Sequence, residues 1–420
     1  MEPPRLILHE WSRATPAESA LLRNQQLTSA DRKLLDELTR HTSLRVEELR
    51  QGLRIAVGPH IGTVTLSCLR LVILPKFPLE TLLAMVAYAF SLSELFLTHT
   101  QSDYGATDQG FGDLLGLALL QEEKRIARAG PLLRYQEICQ ELASPRGRID
   151  FRHAASKPKP TALRCQFHEL TTDHLLNQVL AAGLQLAAQI TQSAALKRQL
   201  IRAAGVYGKH QPPLPLDSTT LRTARTLLDR RSAHYSTALT LVELLYQHSY
   251  PGNYIGAGGP RLSSFLFDMN RAFERFLTRY LQEHRPGNIE IISQDIRTDV
   301  FAYVENPRGW KQPMLRPDFV FLQDGKIIAI GDAKYQNRHE QPPSTAELYQ
   351  LTTYGLAYSM PKPRQVFLFY PLPRGEKERS ARLHFAPDDL TESVQIRLIG
   401  VPIDNIFAGE CWWPAPDVLG

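Results

Sequence analysis

Several ingredients are scarce in this chain, and each scarcity excludes something. There are 4 cysteines among 420 residues, and Cys68, Cys139, Cys165 and Cys411 lie far apart with no C-x-x-C pair. That argues against a zinc ribbon and a disulfide framework, and it fits a reducing cytoplasm. No uninterrupted apolar run reaches the roughly 20 residues a membrane-spanning helix needs, so no membrane partner is expected. The opening MEPPRLILHEWSR lacks the basic-then-apolar order of an export signal. The 13 histidines are scattered, without H-E-x-x-H or another metal spacing. There is no G-x-S-x-G. GAGGP (256–260) lacks the G-K-[ST] of a phosphate-binding loop, so no nucleotide is expected to be bound by this chain alone, and a motor would have to be another polypeptide. Net charge is small as well. The balance of 48 basic and 43 acidic residues gives +5, which permits a phosphate-rich partner without demanding one.

What is present is an ordinary globular composition, 43% hydrophobic and 22% charged, in a chain long enough for two or three domains. RIAVGPHIGTVTL (54–66) and LRLVILPKF (69–77) alternate and predict a small β unit. ETLLAMVAYAFSL (80–92) has helical spacing. SDYGATDQGF (102–111) reads as a polar loop. Gly112 to Leu142 reads as helical, interrupted at Ala129-Gly130-Pro131. SPRGRIDF (144–151) is a turn with two arginines, KPKP (157–160) a linker, and 169–249 mostly helical. SYPGNYIGAGGP (249–260) is a Gly- and Pro-rich seam. Beyond it, Ser263 to His284 reads as a helix with an apolar stripe at Phe265, Met269, Phe273, Phe276 and Tyr280. IEIISQDI (289–296), RQVFLFY (364–370) and VQIRLIGVPI (394–403) read as strands. Ser344 to Met360 reads as a helix opened by a capping box of Ser344 and Glu347. The expected fold is multidomain α+β: a mixed α/β region over 1–155, a helical middle over 156–252, and an α/β domain with a central mixed sheet over 253–420.

The stretch RPDFVFLQDGKIIAIGDAKY (316–335) has the outline of a plain hairpin, yet it crowds Asp318, Asp332 and Lys334 at one end. Loop length decides whether they meet. A two-residue turn at Asp324-Gly325 sets Asp318 opposite Gly331 and turns Asp332 to the other face. A three-residue loop, Gln323-Asp324-Gly325, sets all three on one face, with Gly325 in the left-handed position such loops need. The three-residue loop is therefore expected, with the carboxylates as diagonal neighbours. Two close carboxylates repel unless a cation or proton lies between them. Mg²⁺ (with Mn²⁺ as a substitute) is the natural ion, with the Ala333 carbonyl as a further oxygen ligand. Lys334 would orient or help deprotonate an attacking water, or neutralise charge on a phosphate. The plainer alternative is a set of strand-end salt bridges. Gln350 and Tyr354 lie at i and i+4, so they share a helix face. They are positioned to touch DNA phosphates or brace the lysine; the alternative is a core tyrosine and a solvated glutamine. Glu274 is either a third carboxylate or a solvated helix residue. Arg146 and Arg148 are either nucleotide or DNA contacts or helix caps, and Arg316 is a further candidate DNA contact. Trp412-Trp413 reads as a packing lid.

The pattern P-D…D-x-K within helix–strand–strand–strand–helix–strand resembles the PD-(D/E)xK nuclease superfamily, and the trailing Q-x-x-x-Y looks like its RecB-type branch. FLFDMNRAFERFL (265–277), LRPDFVF (315–321), GDAKYQ (331–336) and ELYQLTTYGLAY (347–358) together resemble the McrC nuclease subunit of modified-cytosine-dependent restriction systems. GPHIGTVTL with LRLVILPKF, RGRIDF (146–151) and FHELTTDHLLNQVLAAGLQL (167–186) agree with it. The resemblance implies a Mg²⁺-dependent endonuclease in antiviral defence that acts on DNA containing modified cytosine. Its partner would be an McrB-like AAA+ GTPase ring, docked through the N-terminal region and stimulated by it. It also implies that Asp318, Asp332 and Lys334 are catalytic, with Glu274, Gln350 and Tyr354 lining the same site. Two other functions compete: a non-catalytic adaptor that keeps the nuclease fold, and a stand-alone repair nuclease.

Overall fold

A computed structural model describes residues 3–92, 110–155, 162–207, 214–251, 263–336, 338, 341–376, 381–385, 393–414 and 416–419. The polar loop at 102–109, the linker 157–160 and the seam from 252 to 260 lie outside these residues. The chain forms two units. The first takes residues 1–61, 66–101 and 266–420, and the second takes 62–65 and 102–265. The three consecutive spans expected from sequence therefore stand beside units assembled from separated segments.

The N-terminal segments give β1 (Arg5–His9), β2 (Arg13–Ala14), α1 (Ser29–His41), β3 (Arg45–Leu49), β4 (Gly52–Ala56), β5 (His60–Thr65), β6 (Arg70–Leu74) and α2 (Leu79–Ala89). The expected β unit is present: β1 runs parallel to β6, and β2, β4 and β3 make a small antiparallel sheet. Helix α1 begins with a capping box in which Thr28 and Asp31 bond reciprocally; this satisfies amides that a helix start leaves open.

In the second unit the chain runs through α3 (Phe111–Ala129), β7 (Arg134–Leu142), β8 (Arg148–Ile149), α4 (Phe151–Ala155), β9 (Leu163–Thr171), α5 (Leu175–Ile190), α6 (Ala194–Tyr207), α7 (Ser218–Thr226), α8 (Ser236–Gln247), β10 (Ser249–Pro251) and β11 (Ser263–Asp268). Strands β5 and β11 are each divided between the units. The helical expectation holds for α3 but fails for RYQEICQEL (134–142), which is a strand paired residue for residue with β9. Gly130, at φ 91, ends α3. After it, the nine-residue ladder outweighs any local helical preference.

The first unit resumes with α9 (Met269–His284), β12 (Ile289–Ser293), β13 (Phe319–Gln323), β14 (Lys326–Ala333), α10 (Thr345–Ala357), β15 (Arg364–Pro371), β16 (Ala381–Phe385), β17 (Val394–Val401), α11 (Ile403–Phe407) and α12 (Pro416–Leu419). Here too an expectation is corrected, because residues 263–268 are strand rather than helix. Asp268 caps α9 by accepting from the Asn270 and Arg271 amides, so the helix starts after it and Phe265 falls outside the apolar stripe. The central sheet is mixed, ordered β12-β13-β14-β15-β17-β16. Its β14–β15 and β15–β17 pairs are parallel and the others antiparallel. Phe319, Phe321, Phe367 and Phe369 fill one face. On the other, Leu315, Val320 and Ile330 pack with Tyr354 and Tyr358, so α10 covers the face that carries Asp318 and Asp332. Tyr280 and Trp412 exchange hydrogen bonds through the Tyr280 hydroxyl, in keeping with a packing role for Trp412.

Candidate functional site

The hairpin is built differently from the expected three-residue loop. Gln323 pairs with Lys326, which leaves a two-residue turn. Asp324 and Gly325 both have positive φ, 50° and 74°, as a tight turn matched to strand twist requires. Such a turn alone would separate the two aspartates. A β-bulge corrects the register: Leu322 pairs with Ile327 but Phe321 pairs with Ala329, and Ile328 is left without a partner. One step beyond the Phe319–Gly331 pair, Asp318 stands opposite Asp332. They are thus direct cross-strand neighbours rather than diagonal ones, and they share a face.

Polar contacts tie the cluster together. Asp318 Oδ2 accepts the Ala333 amide at 2.7 Å. Lys334 Nζ lies 2.9 Å from the buried Asp332 Oδ2 and pairs with it. Burial pushes the Asp318 carboxyl up to about 8, reinforced by the charges of Asp332 and Glu274. Asp332 is likewise raised by burial, against the pull of Lys334. Burial works against the Lys334 ammonium too, but the neighbouring Asp332 and Asp318 outweigh it and hold the lysine above its usual range. Two buried acids whose charged forms are disfavoured, with one lysine to offset them, describe a site short of positive charge. Its donors are all oxygen, carried by the buried Asp318 and Asp332. That set suits a hard dication taking one or two carboxylates and keeping its waters. Among the described residues no group of three or more His, Cys, Asp or Glu forms a cage.

The supporting residues fall into place unevenly. Tyr354 is buried, and its Oη donates to the Arg316 carbonyl at 3.1 Å and accepts from Gln350 Nε2 at 2.9 Å. The pair thus braces the backbone leading into Asp318. Glu274 bears on Asp318 through its charge and accepts from Gln294 Nε2. Arg316 is exposed and donates to Gln294 Oε1. Arg146 and Arg148 belong to the other unit, where Arg146 stacks 4.8 Å over the Phe167 ring and Arg148 sits in β8. Sequence reasoning missed Gln294. Its side chain links Arg316 to Glu274, its amide donates to the Asp318 carbonyl at 2.9 Å, and its φ is 54°. A glutamine at the end of a strand gives no signal of this. Glu347 was read only as a cap, and the capping box is there. Its charge also raises Asp332, and it pairs with the buried Arg338.

Comparison with known proteins gives the following. A family model described as "McrBC 5-methylcytosine restriction system component" matches residues 55–371. No curated protein matches. A chain of the refined half-complex from the tetradecameric assembly of Thermococcus gammatolerans McrB AAA+ hexamers with bound McrC is similar at TM-score 0.63 and 17% identity, over 94% of each chain. A chain of the Thermococcus gammatolerans McrBC complex is similar at TM-score 0.46 and 19% identity, over 67% of this chain and 88% of that one. With a family model spanning most of its length, and with the McrC-like motifs quoted above, the chain belongs to the McrBC 5-methylcytosine restriction system component family as an McrC-type member.

Proposed function

We propose that this chain is a Mg²⁺-dependent DNA endonuclease of the PD-(D/E)xK type, the cutting subunit of a restriction complex that acts on DNA with modified cytosine. Its partner is an McrB-like AAA+ GTPase whose hydrolysis it stimulates. The observation that carries this reading is the convergence of Asp318 and Asp332 across a bulged hairpin, with Lys334 at 2.9 Å from Asp332. Asp318, Asp332 and the Ala333 carbonyl would hold the metal. When bound, Mg²⁺ supplies Lewis-acid stabilisation of charge on the phosphate and eases ionisation of water. Lys334 stays protonated, so it works as a fixed cation facing the charge that develops on the phosphate oxygens, rather than as a base. Gln350 and Tyr354 hold the approach to Asp318 in place. Support for the partner comes from the neighbouring structure, described as McrB AAA+ hexamers with bound McrC.

The test is cleavage of methylated plasmid by the purified chain with a cognate AAA+ GTPase, across a Mg²⁺ series and with chelator. Metal-dependent cutting is expected. Stimulation of GTP hydrolysis with no cutting under any metal would overturn the nuclease reading.

A further inference from the structure

In the first unit, apart from the carboxylate pair, lies a cavity of about 340 Å³ lined by Glu10, Trp11, Lys76, Phe77, Tyr335 and Arg374, among others. It is one residue away from the site along the chain. Lys334 turns to Asp332, and the next side chain, Tyr335, turns to Glu10, its Oη donating to Oε1 at 3.1 Å. Glu10 is completely buried. Its Oε1 also accepts the Lys76 amide at 2.8 Å, but its Oε2 has no hydrogen-bond partner. Burial pushes this carboxyl up to about 7. A sealed carboxyl oxygen without a partner is costly, and such exceptions call for an explanation. The wall beside it is unusual as well. Trp11 has φ 58°, a left-handed conformation that is an outlier for a bulky side chain and that concentrates at functional sites. The rings of Phe77 and Tyr335 lie 5.6 Å apart, while Lys76 and Arg374 are exposed.

Aromatic faces and two exposed cations are what a nucleotide requires: stacking for the base and pairing for its phosphate. The volume falls within the roughly 300–1,000 Å³ of small-ligand pockets. We infer that this cavity holds one nucleotide of the DNA strand beside the cleavage site, its base against Trp11 and Phe77 and its phosphate met by Lys76 and Arg374, with the buried Tyr335–Glu10 pair bracing the wall. The inference rests on the reading of the chain as a DNA-cutting subunit.

The test uses the full chain carrying Asp332→Asn to stop turnover, titrated calorimetrically with a short single-stranded oligonucleotide, an abasic strand of equal length, deoxynucleoside 5′-monophosphates and inorganic phosphate. The base-bearing strand should bind about tenfold or more tightly than the abasic one, the scale of one stacked base. Trp11→Ala should erase that preference, and Lys76→Ala with Arg374→Ala should weaken binding of both strands, each variant melting like its parent. Monophosphates competing with the oligonucleotide place the preferred nucleotide at a strand end; binding of the oligonucleotide alone places it within the strand. Equal affinity for normal and abasic strands, or natively melting variants with unchanged affinity, would overturn the pocket. Cleavage by the unsubstituted chain is measured alongside: cutting without base-dependent binding leaves the nuclease reading standing and sinks the pocket, and base-dependent binding without cutting does the reverse.

Discussion

Asp332 and Lys334 form a pair that neither can leave without cost. Removing the ammonium strands a buried carboxylate, and removing the carboxylate strands a buried cation. Lys334→Ala and Asp332→Asn should each lower cleavage by about 100-fold or more, the scale of losing one preorganised charge at a reacting centre. Circular dichroism should remain native and GTPase stimulation should persist; cleavage at the wild-type rate would remove both residues from the chemistry. Asp318 sets a pH dependence. Folded, it keeps its proton up to about 8, whereas an unfolded aspartate releases it near ~3.9. The folded state therefore binds more protons between those values. The stability this gives is fully present below the unfolded value and is lost as pH rises through the folded one. Metal-free protein should melt at progressively lower temperature from pH 5 to pH 8.5. Mg²⁺ should raise the melting temperature most at the alkaline end, where it no longer competes with the proton. Asp318→Asn should flatten both trends in a thermal-shift assay. At this scale the sequence was informative. Residue types alone named the three central groups, but Gln294 was invisible, because its role depends on a left-handed backbone that no glutamine announces.

The hairpin is the element that decides the site. Two positive-φ residues make the turn, and Ile328 supplies the extra residue that brings Asp318 opposite Asp332. Inserting one residue between Ala329 and Ile330 should shift the ladder beyond the Phe321–Ala329 pair by one step, set Asp318 against Gly331, and turn Asp332 away from it, whereas deleting the unpaired Ile328 would leave the two aspartates opposite each other. With the insertion, cleavage should vanish while the fold persists by circular dichroism. Gly325→Ala is the control. Nothing lies within 4 Å of the added carbon, but φ is 74°, so it should cost about 1 kcal/mol of stability and leave cleavage intact. At Gly331 the limit is space, since an added carbon would meet the Phe369 ring at 2.8 Å. The strands and the place of the turn were legible from alternation and Asp-Gly, though not its two-residue length. The bulge was not, because its cause is packing between faces rather than any local preference.

Over the whole molecule, the N-terminal segments and the carboxylate-bearing sheet belong to one unit. Tyr88 of α2 packs its ring on Phe276 of α9 at 5.6 Å and on Phe407 at 6.1 Å, and Arg275 Nε of α9 donates to the Ala89 carbonyl at 3.0 Å. A fragment of residues 253–420 should therefore expose the apolar stripe of α9 and fail to give a cooperative thermal transition. Tyr88→Ala in the full chain should cost roughly 1–3 kcal/mol in denaturant unfolding. A fragment as stable as the full chain would refute this account. The sequence by itself determined the chemistry available and most of the elements carrying it, because hydrophobic period, capping residues and turn residues act over a few positions. Tertiary structure alone decided that RYQEICQEL is a strand, that a bulge aligns the two aspartates, and that segments far apart in the chain enclose Glu10. Each of these depends on partners brought together from distant positions, and local preference cannot encode a partner.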